Sequence, residues 1–243
     1  NMLGRETFLT PVSFQGEQPI FNPGIGRVLM EDKFPNLPES PVALLPARDD
    51  FDTDSLRFCW NFLRTPFERW YELKNSRLYI NLRPQKATEL VNPSLIARRV
   101  EDHRFKAITS MNFKPSSVNE EAGMIIMQND RFQYRLVLVG KGKTPQELRL
   151  ILVKDGKEEI LARVPYKINE VVLAVQGDGL KYSFLYGTSE DQLEFLGKDV
   201  DATVCSTNVA KGFIGPFVGM YASSNGKVSK NKAAFDWFSY SKY

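Results

Sequence analysis

Three features of the sequence could support catalysis or phosphate binding by residue type, and none completes its motif. Residues 140–144 (GKGKT) end like a phosphate-binding loop, but the glycine needed five residues before Gly142 is Val137, so we expect a hairpin tip. His103, the only histidine, has no nucleophile motif nearby and is expected to be partly exposed at a strand end. The 29 acidic residues offer many carboxylate pairs, but no segment has the Glu-x-Asp-x-Glu pattern on one strand that sandwich glycosidases often use.

A cluster of acids near residue 50 could hold a metal. Asp50, Asp52 and Asp54 match the start of a calcium-binding loop, yet position six is serine and position twelve is asparagine, so an EF-hand is excluded. In a strand the three carboxylates would share one face, and together with Asp236 they could ligate a structural calcium at the sandwich edge. The alternative is that these acids are solvated at the start of a strand.

Aromatic residues make up 12% of the chain and are the stronger indication of function. The positions with an alternating pattern favour core packing, while the density of rings leaves a sugar-stacking surface as the alternative. The cluster comprises Phe58, Trp60, Phe62, Phe67, Trp70 and Tyr71. A second stretch, residues 212–226 (GFIGPFVGMYASSNG), reads as an apolar strand interrupted by glycines, with either Phe213 or Phe217 available for a special role.

Composition restricts the class of protein. The 32 basic and 29 acidic residues give a net charge of +3 without a basic stripe, which argues against a nucleic-acid partner. The apolar runs are far shorter than the roughly 20 residues that a membrane-spanning helix needs, so no membrane association is expected. Cys59 and Cys205 lie far apart in apolar surroundings and are expected to be buried free thiols. They do not distinguish a cytoplasmic from a periplasmic location.

The chain divides by composition near residue 47. Seven of the fourteen prolines fall in residues 1–47, together with many apolar residues, which predicts an extended arm that packs on a neighbouring surface. Asn1 precedes Met2 without a signal pattern, and we expect a processed piece of a longer protein. Residues 48–243 show short segments of period two, which predict an all-β, two-sheet antiparallel β-sandwich.

The pattern also predicts individual elements of this sandwich. Glycine-containing turns are expected at residues 155–156 and 177–179, and a short helical turn at residues 93–100. The predicted strands include residues 78–82, 124–127, 132–139, 148–153, 158–164, 171–175, 181–186, 217–222 and 234–240.

Four separated motifs in the expected order resemble glycoside hydrolase family 43 β-xylosidases. They are residues 3–9 (LGRETFL), 56–66 (LRFCWNFLRTP), 121–131 (EAGMIIMQNDR), and 212–227 (GFIGPFVGMYASSNGK) followed by 234–240 (AFDWFSY). The resemblance is to the C-terminal half of these enzymes and covers nearly all of the chain. It implies a concanavalin A-like jelly roll.

The resemblance also implies that catalysis takes place in a second domain, which is not part of this chain. The family's catalytic carboxylates belong to an upstream five-bladed propeller, so this chain is expected to be inactive alone and to require no cofactor. Residues 1–47 correspond to the crossing from propeller to sandwich. A sandwich loop places a phenylalanine beside the terminal xylose of a xylo-oligosaccharide, and the matching residue is Phe213, while Phe217 would be the first core residue of the next strand. Ordinary loop packing is the alternative for Phe213.

Three functions therefore remain open from the sequence. The first is a non-catalytic module that stabilises a β-xylosidase or α-arabinofuranosidase propeller, completes its pocket and mediates homo-oligomerisation. The second is a stand-alone carbohydrate-binding module for xylan-type sugars, and the third is an independent enzyme on a sandwich. The sequence does not distinguish xyloside from arabinoside preference.

Overall fold

The computed structural model describes residues 1–41, 46–140, 142 and 146–243. The chain forms two compact units, one made of Asn1–Gly4 with Pro46–Tyr243 and the other of Arg5–Leu45. In the described part of the smaller unit, regular structure is limited to an antiparallel hairpin of β1 (Val12–Gln15) and β2 (Gln18–Phe21). Proline removes backbone donors and fixes φ, which accounts for the irregular backbone around this hairpin.

The larger unit is built almost entirely of strands. The helical segments among its described residues are a 3₁₀ turn (Ala202–Cys205) and one short helix, α1 (Thr207–Ala210). The strands in chain order are β3 (Arg48–Asp49), β4 (Asn61–Phe62), β5 (Tyr71–Leu73), β6 (Leu78–Asn81), β7 (Ser94–Arg99), β8 (Arg104–Asn112), β9 (Glu121–Asn129), β10 (Phe132–Val139), β11 (Glu147–Lys154), β12 (Lys157–Pro165), β13 (Glu170–Asp178), β14 (Lys181–Ser189), β15 (Gln192–Asp201), β16 (Phe217–Ser223) and β17 (Lys232–Lys242).

These strands form two antiparallel sheets. The first has the spatial order β12-β11-β10-β9-β16-β7-β4, and the second has the order β15-β14-β13-β8-β17-β6-β5, with β3 paired to β17. Side chains from both sheets meet in one large buried cluster between them. The predicted all-β, two-sheet antiparallel sandwich is confirmed.

The central strands of the seven-stranded sheet are buried on both faces, whereas its edge strand β12 is mostly exposed. Successive residues of a strand point to opposite faces, so Met124 and Ile126 of β9 lie between the sheets while Ile125 and Met127 join Tyr221 in a separate cluster on the outer face. This arrangement explains why β9 reads as a continuous apolar run instead of alternating with polar residues.

A loop preceding β7 covers part of this outer face. The Ala87 amide donates to Tyr221 Oη (3.3 Å), and the Ala87 carbonyl accepts from Gln133 Nε2 (3.1 Å). Beside this cover Arg135 is 2% exposed, and its Nε lies 3.4 Å from Oε1 of Glu121, which is 4% exposed. An ion pair this deeply buried depends on both partners, since removing one leaves an uncompensated charge.

Glu120 ties together the loops that lead into β9 and β17. Its carboxylate accepts from Ser116 Oγ (2.9 Å), Ser229 Oγ (2.7 Å) and Asn231 Nδ2 (2.8 Å). Burial acts to raise the pKa of Glu120, but the hydrogen bonds from Asn231, Ser116 and Ser229 outweigh it and hold the pKa below its ordinary value. The ionised form is therefore part of the fold.

The hairpin turns follow the predicted glycines, with one shift. Asp155 and Gly156 both have positive φ (53° and 77°) and connect β11 to β12 as expected. The next predicted turn begins later, because Gly177 is still within β13 and only Gly179 has positive φ there. A Cβ on Gly177 would lie 2.2 Å from the Phe105 ring, so this glycine makes room for a neighbouring side chain.

The helical turn predicted at residues 93–100 is wrong, because this segment contains strand β7. Ile96 packs between the sheets, whereas Leu95 and Ala97 pack in the outer cluster. β7 pairs with β16 on one side and with β4 on the other, so its conformation is set by strands distant in sequence.

The expected alternation of Phe58, Trp60 and Phe62 in the core holds only in part. Trp60 is buried, Phe62 is half-buried and Phe58 is fully exposed. Residues 56–60 are outside the regular strands, so period two does not apply to them. The predicted hairpin tip at residues 140–144 falls largely outside the described residues.

Candidate functional site

A short loop ahead of β16 presents Phe213, and we call residues 211–216 the Phe213 loop. It begins where α1 ends, at Lys211 with φ +66°, followed by Gly212 with φ +80°. Ser206 caps the start of α1 by accepting from the Val209 amide (3.4 Å). Two consecutive residues in the left-handed region reverse the chain, and a glycine at the second avoids the Cβ strain.

Side chains at the end of β9 hold the loop from beneath. Gln128 is 6% exposed, and its Nε2 donates to the carbonyls of Ile214 (2.7 Å) and Lys211 (3.3 Å). Asn129 Nδ2 donates to the carbonyl of Ala210 (3.2 Å). These bonds satisfy loop carbonyls that no sheet ladder reaches, and they fix the backbone on both sides of Phe213.

Residues 2–4 pack against the other side of the loop. Gly4 forms an antiparallel bridge with Ile214, and Met2 is buried in the sandwich core. A Cβ on Gly4 would lie 2.4 Å from the Gly215 nitrogen, and one on Gly215 would lie 2.4 Å from the Leu3 carbonyl oxygen. Gly215 does not have positive φ, so glycine at this position permits a close approach of two backbones and does not form a sharp turn.

The loop is anchored at its end while its ring is exposed. The Pro216 carbonyl accepts from the Val100 amide (3.0 Å), whereas the Phe213 residue is 64% exposed. Phe217 is the first residue of β16, as expected, but it packs against the outer cluster and not between the sheets. The Arg99 guanidinium lies 4.9 Å from the centroid of the Phe217 ring. Phe213 is thus an exposed ring on a fixed backbone.

Two concave regions adjoin this part of the sandwich. A small apolar pocket of about 60 Å³ is bordered by Ile214, Phe217, Gln128 and Phe62. Phe62 also lines an open cleft of about 410 Å³, whose other walls include Phe67 and the polar residues around it. The second region corresponds to the aromatic cluster found in the sequence.

The predicted calcium ligands are distributed differently in the structure. Asp50 accepts from Arg48 Nε (2.7 Å), and Asp236 forms an ion pair with Arg77, in which Oδ1 lies 2.5 Å from Nε. Asp52, like Asp50, lies beyond the end of β3, and the described residues contain no group of three His, Cys, Asp or Glu side chains suited to a metal. The calcium site remains a prediction, which thermal unfolding in calcium and in a chelator would test.

A buried aspartate that sequence reasoning missed lies beside this group. Asp49 is 5% exposed and accepts hydrogen bonds from Trp60 Nε1 (2.7 Å) and the Phe51 amide (3.1 Å). Arg57 Nε lies 3.4 Å from the same carboxylate. The available signal was the buried tryptophan, because its indole N–H needs an acceptor when buried.

The histidine and the two cysteines occupy positions that fit structural roles. His103 is exposed just before β8, as expected. Cys205 is a buried free thiol, and burial raises its pKa to about 12. Cys59 is also free but only half-buried, and burial raises its pKa. Among the described residues, no helix is long and apolar enough to cross a membrane.

The two-sheet antiparallel fold defines an all-β domain of the concanavalin A-like class. The chain belongs to the family of β-xylosidase C-terminal concanavalin A-like domains, whose model matches residues 48–241. This family assignment agrees with the resemblance carried by the four sequence motifs.

Individual relatives are named as arabinofuranosidases and xylosidases, and they extend well beyond this chain. The non-reducing end α-L-arabinofuranosidase BoGH43B of Bacteroides ovatus is 32% identical over 243 residues, covering 98% of this chain and 45% of that protein. The xylosidase/arabinosidase of Butyrivibrio fibrisolvens is 29% identical, covering 97% of this chain and 46% of that protein. The chain therefore spans less than half the length of these curated relatives.

Solved structures also contain this fold within longer chains. The xylan β-1,4-xylosidase of Bacillus halodurans superposes with a TM-score of 0.91 at 27% identity, covering 98% of this chain and 47% of that one. The xyloglucan-locus GH43B of Bacteroides ovatus also has a TM-score of 0.91, at 31% identity, covering 99% of this chain and 48% of that one.

Proposed function

We propose that this chain is the non-catalytic C-terminal module of an inverting family 43 glycoside hydrolase that acts on xylo-oligosaccharides. The family assignment, the names of the relatives and the chain's share of their length support this proposal. The catalytic carboxylates would belong to a propeller domain earlier in the same polypeptide. The module would contribute stability and one wall of the substrate pocket.

The fixed, exposed ring of Phe213 is the observation that carries the pocket role. Gln128 and the close approach of Gly4 and Gly215 hold the loop backbone, so little conformational entropy is lost when the ring meets a ligand. An aromatic ring beside a pentose offers an apolar face to its C–H groups, narrows the pocket and excludes water. We assign Phe213 to the substrate side of the domain interface.

The smaller unit would supply part of the contact with the propeller. It exposes large apolar side chains, including Phe14, Met30 and Phe34. Its own apolar groove has a volume of about 500 Å³. Exposed apolar surface of this extent is typical of a segment that another domain covers.

Steady-state kinetics of the full-length enzyme test the proposal. Phe213→Ala is expected to lower kcat/KM for xylobiose by about tenfold, the effect of losing about 1.4 kcal/mol of transition-state binding. Phe195→Ala removes another exposed ring, on β15, and serves as the matched control with unchanged kinetics. Equal kcat/KM values for Phe213→Ala and wild type would reject the pocket role.

Activity of the isolated chain tests the non-catalytic role separately. Residues 1–243 alone are expected to leave nitrophenyl xyloside intact, while the full-length enzyme hydrolyses it. Hydrolysis by the purified chain that disappears with one of its own acid pairs would instead establish an enzyme on the sandwich.

A further inference from the structure

The open cleft beside Phe67 has the chemistry of a sugar-binding site separate from Phe213. We propose that it binds a neutral pentose oligosaccharide, so that the module holds the substrate chain at a second point. The choice of pentoses rests on the proposed function, but the existence of the site rests on the cleft itself. Its volume of about 410 Å³ lies within the range of small-ligand sites.

The aromatic rings of Phe67 and Tyr71 line the cleft. The Phe67 ring is fully exposed, with nothing of the described chain covering it. Tyr71 is held by Phe62, with ring centroids 5.5 Å apart, and by Trp70, at 5.7 Å. The exposed Phe67 ring and the neighbouring Tyr71 ring, which its contacts hold in place, can offer an apolar face to the C–H groups of a sugar.

The charged residues of the cleft leave hydrogen-bonding groups available. Arg69 lies 5.2 Å from the Tyr71 ring centroid, and its Nε donates to the Tyr71 carbonyl (3.2 Å), while its terminal nitrogens form no ion pair with any described residue. Asp54 lines the same cleft and has no ion-pair or hydrogen-bond partner in the described ranges. Glu68 is paired with Arg83 at 3.0 Å.

This combination of groups favours a neutral polyhydroxylated ligand. Asp54 and Glu68 would repel an anion, and Arg69 would repel a cation, whereas a carboxylate and a guanidinium together can accept from and donate to neighbouring hydroxyls. The exposed Phe67 adds the apolar contact that a small polar solute would not use. Phe62 borders both this cleft and the small pocket beside Ile214, so the surface continues toward the Phe213 loop.

Binding of xylotetraose to residues 1–243 tests the site without catalysis. Calorimetric titration, together with retardation of the chain in xylan-containing native gels, is expected to show saturable binding. Phe67→Ala is expected to weaken this binding by about tenfold, as loss of a central aromatic contact does. Asp54→Ala should weaken it in the same direction. Both residues are exposed, so unchanged melting temperatures would show that the fold is intact.

The controls separate this site from a general loss of exposed aromatic surface and from a protein contact. Phe195→Ala should retain xylotetraose binding by the chain. Absence of binding in both assays, or binding unaffected by Phe67→Ala and Asp54→Ala, would overturn the proposal while leaving the kinetic role of Phe213 intact. Slower hydrogen exchange around Phe67 in the full-length enzyme, combined with absence of sugar binding, would identify the cleft as a contact with the catalytic domain.

Discussion

Replacing Gly215 by alanine is expected to destabilise the sandwich by forcing the Phe213 loop away from residues 2–4. The new Cβ would lie 2.4 Å from the Leu3 carbonyl oxygen, 2.6 Å from its carbonyl carbon and 2.9 Å from its Cα. Ordinary van der Waals contact begins at 3.4 Å, so the oxygen and the Cβ must move about 1.0 Å further apart to reach it. All three atoms are backbone, and no flexible side chain can absorb the shift.

The expected loss of folding free energy can be estimated from the clash between the new Cβ and the Leu3 backbone. Overpacking of a tightly filled site costs about 1–3 kcal/mol. For a chain of this size 1 kcal/mol lowers the melting temperature by about 2–4 °C, so Gly215→Ala should lower it by roughly 2–12 °C. Backbone strain contributes little, because Gly215 does not have positive φ.

Calorimetric unfolding of residues 1–243 and of residues 5–243 separates the clash from other effects. In the longer chain Gly215→Ala should show the full decrease in melting temperature. In the shorter chain Leu3 is gone, and the same substitution should have little effect even though the starting stability is lower. An equal decrease in both chains would refute the argument that the approach of Leu3 requires glycine at position 215.

Three further outcomes are expected. Arg135→Ala should cost about 3–5 kcal/mol, because it leaves Glu121 charged and buried; urea unfolding measures this, and adding Glu121→Gln should recover part of the loss. Glu120 has a lowered folded-state pKa, so its contribution is present above the ordinary carboxyl pKa and is lost as pH falls through the lower folded value. The stability difference between wild type and Glu120→Gln should therefore shrink below about pH 4, as unfolding at stepped pH would show. A thiol reagent at neutral pH should modify Cys59 slowly and Cys205 only after unfolding, because burial raises the Cys205 pKa to about 12.

Most strands could be located from the sequence because the strand faces that are buried in the sandwich require apolar residues, and these produce recognisable patterns along the chain. Segments such as β10 and β11 contain short apolar runs bounded by turn residues, which are typical of buried strands, and the Asp155–Gly156 turn has the chemistry of a tight hairpin. The family could also be identified, because four motifs occur in the right order along nearly the whole chain.

Segments whose conformation depends on distant partners could not be assigned in this way. Residues 94–99 have an ambiguous local pattern, and pairing with β16 and β4 decides that they form a strand. Phe58 is exposed although it alternates with Trp60, because the segment between them lies outside the regular strands. The two-residue alternation of side chains predicts which residues are buried and which are exposed only where the chain forms a regular strand.

For the Phe213 loop, the sequence by itself determined the position of the loop, the start of β16 at Phe217 and the need for glycines. Only the tertiary structure decided what each glycine does. Gly212 has the positive φ of a turn, whereas Gly215 lies against the Leu3 backbone, more than 200 residues earlier in the chain. The physical reason is that the residue type fixes only the size of the side chain. The neighbouring atoms that leave no room for a larger side chain come from a distant part of the sequence, and only folding of the whole chain brings them there.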